Sequence, residues 1–277
     1  TGLFILESTA VEVTQTAAIP VNRVASNAST TTVDSTDAIQ SDFMITGDLV
    51  LQTTAGAITV SEGDTDTGTL GISASGNILL TAGGTSNIKN DADVISTGGH
   101  ISLNASQDIL QNADIAAQTA GKTIDLLASR HITMAQTTSS TTTNNGDISL
   151  VATTGDITIE SIASGSQNVS VTATAGNIVD GDTAGDTEVD VTAEGLKLTA
   201  AATGTGVGGI GAGNNHLEIT VATMSSSAGT GGMFITESDG VTVDSVSVTI
   251  QRVSGTANVS AQSSSLTDLS TSTSSNG

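Results

Sequence analysis

The chain has 277 residues with 28 acidic against 6 basic side chains, a net charge of −22, and it contains one Pro, three Phe and no Cys, Trp or Tyr. A polyanion repels phosphate backbones and anionic lipid surfaces, which argues against nucleic acid as a partner. No apolar run reaches the roughly 18 residues of a membrane span, so no membrane insertion is expected.

The first residues, Thr1-Gly2-Leu3-Phe4-Ile5-Leu6-Glu7, have no basic stretch and too short an apolar run for a signal peptide, so any export signal is expected elsewhere. Short alternating runs then recur, among them Asp48-Leu-Val-Leu-Gln52, Asn77-Ile-Leu-Leu-Thr81, His100-Ile-Ser-Leu-Asn104, Thr123-Ile-Asp-Leu-Leu127, Asp147-Ile-Ser-Leu-Val151, Asn168-Val-Ser-Val-Thr172, Glu188-Val-Asp-Val-Thr192 and His216-Leu-Glu-Ile-Thr220. Apolar residues two apart have the period of a strand, and the Gly or Asn before most runs supplies a turn. No stretch sustains a capped 3.6 period, so no long helix is expected.

The first apolar residues of successive runs, Ile101, Ile124, Ile148, Val169 and Val189, recur at a nearly constant interval, with shorter strands such as Asp156-Ile-Thr-Ile159 and Gly195-Leu-Lys-Leu198 between them. That spacing predicts an all-β parallel β-solenoid, a right-handed β-helix with coils of about 20–29 residues, running through 1–277 as one continuous unit. A Greek-key sandwich explains the alternation but not the near-constant coil length.

A longer repeat overlies the short one. Phe4-Ile-Leu-Glu-Ser8 matches Phe234-Ile-Thr-Glu-Ser238, Val11-Glu-Val13 matches Val241-Thr-Val243, and Pro20-Val-Asn-Arg-Val24 matches Thr249-Ile-Gln-Arg-Val253. Residues 1–47 are therefore the equivalent of 234–277, with a period of about 230 residues. About ten coils at about 4.8 Å each predict a period of roughly 50 Å. The expected partner is the chain itself, as a continuous tandem array or as subunits stacked head to tail.

Candidate chemistry is sparse. His100, His131 and His216 each precede the first apolar residue of a strand, so alternation is expected to turn them outward. Carboxylates cluster at Glu62-Gly-Asp64-Thr-Asp66 and from Asp180 to Asp190. The second cluster opens as Asp-x-Asp and has Gly185 where a calcium loop carries its glycine, which makes Asp180, Asp182, Asp186 and Glu188 candidate calcium ligands. Ala184 stands where a third oxygen ligand belongs, and solvated acidic turns are the competing explanation. Gly206-Val-Gly-Gly-Ile-Gly211 has dinucleotide-loop spacing, but turn and strand rather than helix are expected after it. With six basic residues and almost no aromatic side chains, a polysaccharide-cleaving groove is not expected, and no catalytic residue is assigned.

Gly195-Leu-Lys-Leu-Thr-Ala200, Gly213-Asn-Asn-His-Leu-Glu-Ile-Thr220 and Gly232-Met-Phe-Ile-Thr-Glu-Ser-Asp-Gly-Val-Thr-Val243 resemble the repeats of giant bacterial surface proteins, those of the LEPR-XLL type and filamentous-haemagglutinin-like adhesins. The resemblance implies export to the bacterial cell surface and a structural or adhesive role, either a fibre or stalk or a module whose loop face recognises a glycan or protein ligand. It carries no catalytic residues and requires no cofactor.

Overall fold

The computed structural model describes the chain apart from residues 29–30, 38, 64–68, 137–140, 183–184, 186, 202–206 and 272–277, and describes 31–37 by backbone alone. Its strands wind into a parallel β-solenoid with three faces, and no helix occurs among the described residues. One turn illustrates the plan. Ile101–Ala105 lies on the first face, Ile109–Gln111 on the second and Ile115–Ala117 on the third, before Ile124–Ala128 returns to the first. Each strand pairs in parallel with the strand one turn before and one turn after, so Ile101 stands between Ile78 and Ile124.

The sequence forms these coils because each strand offers two kinds of position. On the first face Ile78, Ile101, Ile124, Ile148, Val169 and Leu196 stack as a fully buried column, with Leu80, Leu103, Leu126, Leu150, Val171 and Leu198 as a second column beside it. Ile58, Ile88, Ile109, Ile132, Ile157, Ile178 and Ile210 form the column of the second face. All belong to one hydrophobic cluster, a narrow core that aliphatic side chains fill without aromatics. From Ile78–Ala82 onward the first-face strands carry a buried alanine at the bend, Ala82, Ala105, Ala128, Ala152, Ala173 and Ala200 in register, where Thr53 stands one coil earlier.

The corners are held by two devices. Where a glycine opens a strand the next coil comes too close for a side chain: a Cβ on Gly99 would lie 2.2 Å from the Gly76 backbone, and one on Gly146 would lie 1.8 Å from the Lys122 carbonyl oxygen. The second device is a ladder of short polar side chains. Asp48, Asn77 and His100 each accept a hydrogen bond from the backbone N–H at the same position one coil on, those of Asn77, His100 and Thr123. Asn87, Asp108, His131, Asp156 and Asn177 do the same at the second corner, ending on Gly209. Part of the acidity of the chain thus has a structural cause, since Asp and Asn carry an acceptor at the right reach.

Two expectations change in detail. Val169 pairs with Leu196 and not with Val189, which is exposed and outside any strand. The strand Val191–Ala200 serves two faces without a turn, its first residues pairing with Ile162–Ala163 on the third face and Gly195–Ala200 with the first. The step from Val169 to Val189 therefore runs from one face toward another and is not a full coil. The coil count also falls. Ile235–Glu237, the sequence equivalent of the start of the chain, lies eight turns and two faces beyond Gly2–Glu7, so a period spans about 42 Å rather than 50 Å.

Two antiparallel hairpins leave the coils. One joins Ile19–Val24 to Thr31–Asp37 and the other joins Val246–Val253 to Val259–Leu266.

Candidate functional site

The second hairpin folds back across the outer side of the first face and forms a strap. Beneath it lies the outward row Val50, Leu79, Ser102, Asp125, Ser149, Ser170 and Lys197, in register from coil to coil. Asn168 Nδ2 donates to Ser247 O, Thr249 N–H to Asp147, Gln251 N–H to Thr123 Oγ1, Val253 N–H to Ser102 Oγ and Asn77 Nδ2 to Ala257 O. Every two strap residues therefore meet about one coil further toward the N-terminus. Two residues of strand advance about 6.8 Å against a coil rise of about 4.8 Å, so the strap crosses the coils obliquely. Val246, Val248 and Ile250 are buried against the face, and Val253 and Ala257 pack on Val50 and Leu79.

The strap explains polar burial that alternation did not foresee. His100 is 9% exposed, and its Nδ1 accepts the Thr123 N–H and lies 2.9 Å from Thr123 Oγ1. Burial, helped by the Lys122 charge, pulls its pKa down to about 4. His131 is half-buried, its Nδ1 accepting the Asp156 N–H. Both rings are corner-ladder acceptors rather than outward surface groups. Arg130, beside His131 in sequence, grips Asp108 through Nε and Nη2, and this pairing holds the Asp108 carboxyl below the usual range. His216 stays at the surface, Nδ1 2.9 Å from Thr236 Oγ1 and its ring 6.1 Å from that of Phe234. Lys197, 7% exposed under the strap, donates to Ser170 Oγ and Thr172 Oγ1, and burial lowers its pKa.

The acidic stretch forms a cluster at the turn after the second-face strand Ile178–Asp180. Carboxylate oxygens of Asp180, Asp182 and Asp190 lie within 4.8 Å of one another, and those of Glu160, Asp182 and Glu188 do likewise. Of the four candidate calcium ligands, Asp180, Asp182 and Glu188 are thus gathered, with Asp182 shared by both groups, while Asp186 lies outside the described residues. Sequence reasoning missed Glu160 as a member of the cluster and left Asp190 out of the candidate set. The coil offset places Glu160 there: Ile159 pairs with Asp180, so the residue after it lies beneath the turn that follows Asp180.

Asp190 is the exceptional member. It is 1% exposed, and Oδ2 accepts the Glu218 N–H as a corner-ladder acid does. Asp147 and Asp108 engage both oxygens, but Oδ1 of Asp190 is buried with no hydrogen-bond partner. Burial pushes its pKa up to about 9; the Glu218 N–H opposes the shift, and the Asp180, Glu218 and Asp182 charges add to it. Beside the cluster a surface cavity of about 580 Å³ is lined by Thr187, Val189, Asn214, His216, Glu218 and Thr236 among others.

No family model, curated protein or solved structure matches the chain. The remaining sequence candidates are placed as follows. Asp64, Asp66 and Gly206 lie outside the described residues. Gly208 abuts Ala201, and Gly209–Ile210 is a second-face strand followed by a turn and then strand Leu217–Ala228, the glycine-rich corner expected rather than a phosphate loop.

Proposed function

We propose that the chain is a unit of a structural filament or adhesin stalk, built from tandem β-solenoid repeats and working outside a bacterial cell without catalysis. The observation that carries this reading is that one hairpin occurs twice, one sequence period apart, with Arg23 matching Arg252. Both copies turn on an alanine in left-handed backbone, Ala28 at φ 56° and Ala257 at φ 60°, and in both that alanine's N–H bonds the carbonyl three residues earlier, Ala25 or Ser254. An alanine with positive φ is uncommon enough that its recurrence supports a true structural repeat. Parallel ladders suit such a role, because each coil's edge is the template for the next. The absence of cysteine and the acidic surface fit a soluble fibre that needs no disulfides. The test is imaging of the native assembly together with protease shaving of intact cells. Surface-exposed fibres with an axial period of about 42 Å are expected; compact particles would sink the fibre and protection from protease the location.

A second reading concerns the acidic cluster. Oδ1 of Asp190, buried and unpartnered among Asp180 and Asp182, favours a divalent cation there, calcium by its all-oxygen donors. Glu160 and Glu188 would complete the ligand set through Asp182. Isothermal titration of the chelator-treated chain with calcium is expected to give saturable binding that Asp190→Asn weakens at least tenfold. Equal binding by both proteins would remove the site. An adhesive role draws on the cavity beside this cluster, and titration of the chain with surface glycans tests it, no heat on any glycan counting against it.

A further inference from the structure

The two hairpins are alike in sequence and in turn but differ in what they touch. In the second, Val248, Ile250 and Val253 are 1–3% exposed against the first face. In the first, the matching residues Ile19, Val21 and Val24 are 59%, 45% and 58% exposed. The direction of the second hairpin supplies the reason. It runs from Asn168 back to Asn77, toward the N-terminal end of the stack. The first hairpin follows Val11–Val13, the first strand of the second-face column, so the same course carries it along that face beyond the first described coil.

We propose that the Ile19–Val24 hairpin is itself a strap, and that it docks on the outer row of a second copy of this unit stacked on the N-terminal side. The docked hairpin provides the template. Arg23 takes the place of Arg252 and meets the second copy's Asp125; Val24 takes that of Val253 over Ser102; Ile19 and Val21 cover the apolar ground of Val248 and Ile250. In a continuous array the hairpin that covers each unit belongs to the unit after it, so every junction is stitched twice, once by parallel coil edges and once by a strap crossing several coils. A strand edge alone pairs with any exposed strand. A strap with one arginine and a row of apolar residues in fixed register selects the correct neighbour. The inference rests on the tandem reading above and specifies how its units join.

The unaltered chain covers its own outer row, so the test frees that row. Val248→Asp with Ile250→Asp in the full chain releases the second hairpin. This variant is expected to associate head to tail, its mass in sedimentation rising with concentration up to about 100 µM, where the unaltered chain stays monomeric. Adding Arg23→Glu is expected to weaken the association at least tenfold, and adding Asp125→Arg to that variant to restore it. Should the double aspartate variant lose its β circular-dichroism signal, Arg252→Ala is the gentler release and is read the same way. A released variant that stays monomeric, or associates regardless of Arg23, overturns the proposal, as does failure of the charge exchange to restore binding. The two readings fail separately. Native fibres with no Arg23 effect remove the strap and keep the filament; compact native particles with a restored charge exchange do the opposite.

Discussion

Arg252 and Asp125, 127 residues apart in sequence, form a two-pronged ion pair, Nε 2.5 Å and Nη2 3.1 Å from the two carboxylate oxygens. Asp125 is 2% exposed while the Arg252 side chain is 39% exposed, so the strap is what shelters the carboxylate and neutralises it. Arg252→Ala leaves a buried acid without its cation. The expected cost is about 2–3 kcal/mol, below that of a fully buried pair because solvent reaches the arginine. Urea unfolding measures it, and amide exchange in Val246–Leu266 is expected to quicken while Ile101–Ala128 stays protected.

His100 makes the strapped face sensitive to acid. Its folded pKa of about 4 lies below the ordinary value of 6.5, so the fold holds the neutral ring. Such a group contributes full stability above pH 6.5 and loses it as the pH falls toward 4. Protonation removes the acceptor for the Thr123 N–H, and Thr123 Oγ1 is itself the acceptor for strap residue Gln251. The urea midpoint is expected to fall between pH 6.5 and 4, with a shallower fall in His100→Gln. An identical pH profile for the two proteins would contradict this.

Asp190 titrates in the opposite sense. Its folded pKa, about 9 against an ordinary value of 3.8, means that the cation-free fold prefers the protonated acid. Its contribution is present below about pH 4 and is lost as the pH rises toward 9. In chelator, stability is expected to decline across that range in the unaltered chain and not in Asp190→Asn. With calcium added, bound charge replaces the proton and the decline is expected to vanish. Thermal melts at several pH values, with and without calcium, measure both effects.

Much of the architecture was legible because the interior is periodic. The column Ile101, Ile124, Ile148 and Val169 shows in the spacing alone, since each residue repeats one role a coil later. Legibility failed where one strand serves two faces, as at Val191–Ala200, because no turn residue marks the passage. It failed at His100 because its partners lie far off in sequence: the ring accepts the Thr123 N–H one coil on, and Thr123 Oγ1 accepts the N–H of Gln251 from the strap, contacts that no local pattern registers. For the acidic cluster, sequence proximity found Asp180, Asp182 and Glu188 but not Glu160, which reaches the group across the stack.

The stacked core makes a last prediction, on where the coil tolerates change. Leu103 is fully buried, with Leu80 below and Leu126 above it. Leu103→Ala removes three carbons from a column that cannot collapse locally, because the neighbouring coils fix the spacing, so a cost of about 3–4 kcal/mol is expected. Gly146→Ala adds one carbon, yet that carbon would sit 1.8 Å from the Lys122 carbonyl oxygen, and the backbones must part to admit it. A cost of about 2 kcal/mol or more is expected, although the residue only becomes more hydrophobic. Thr133, exposed on the second face, is the control, and Thr133→Ala is expected to stay within about 0.5 kcal/mol. Urea titration of the three variants measures the order. If Gly146→Ala proved as harmless as Thr133→Ala, the close backbone approach at the corners would not be what places glycine there.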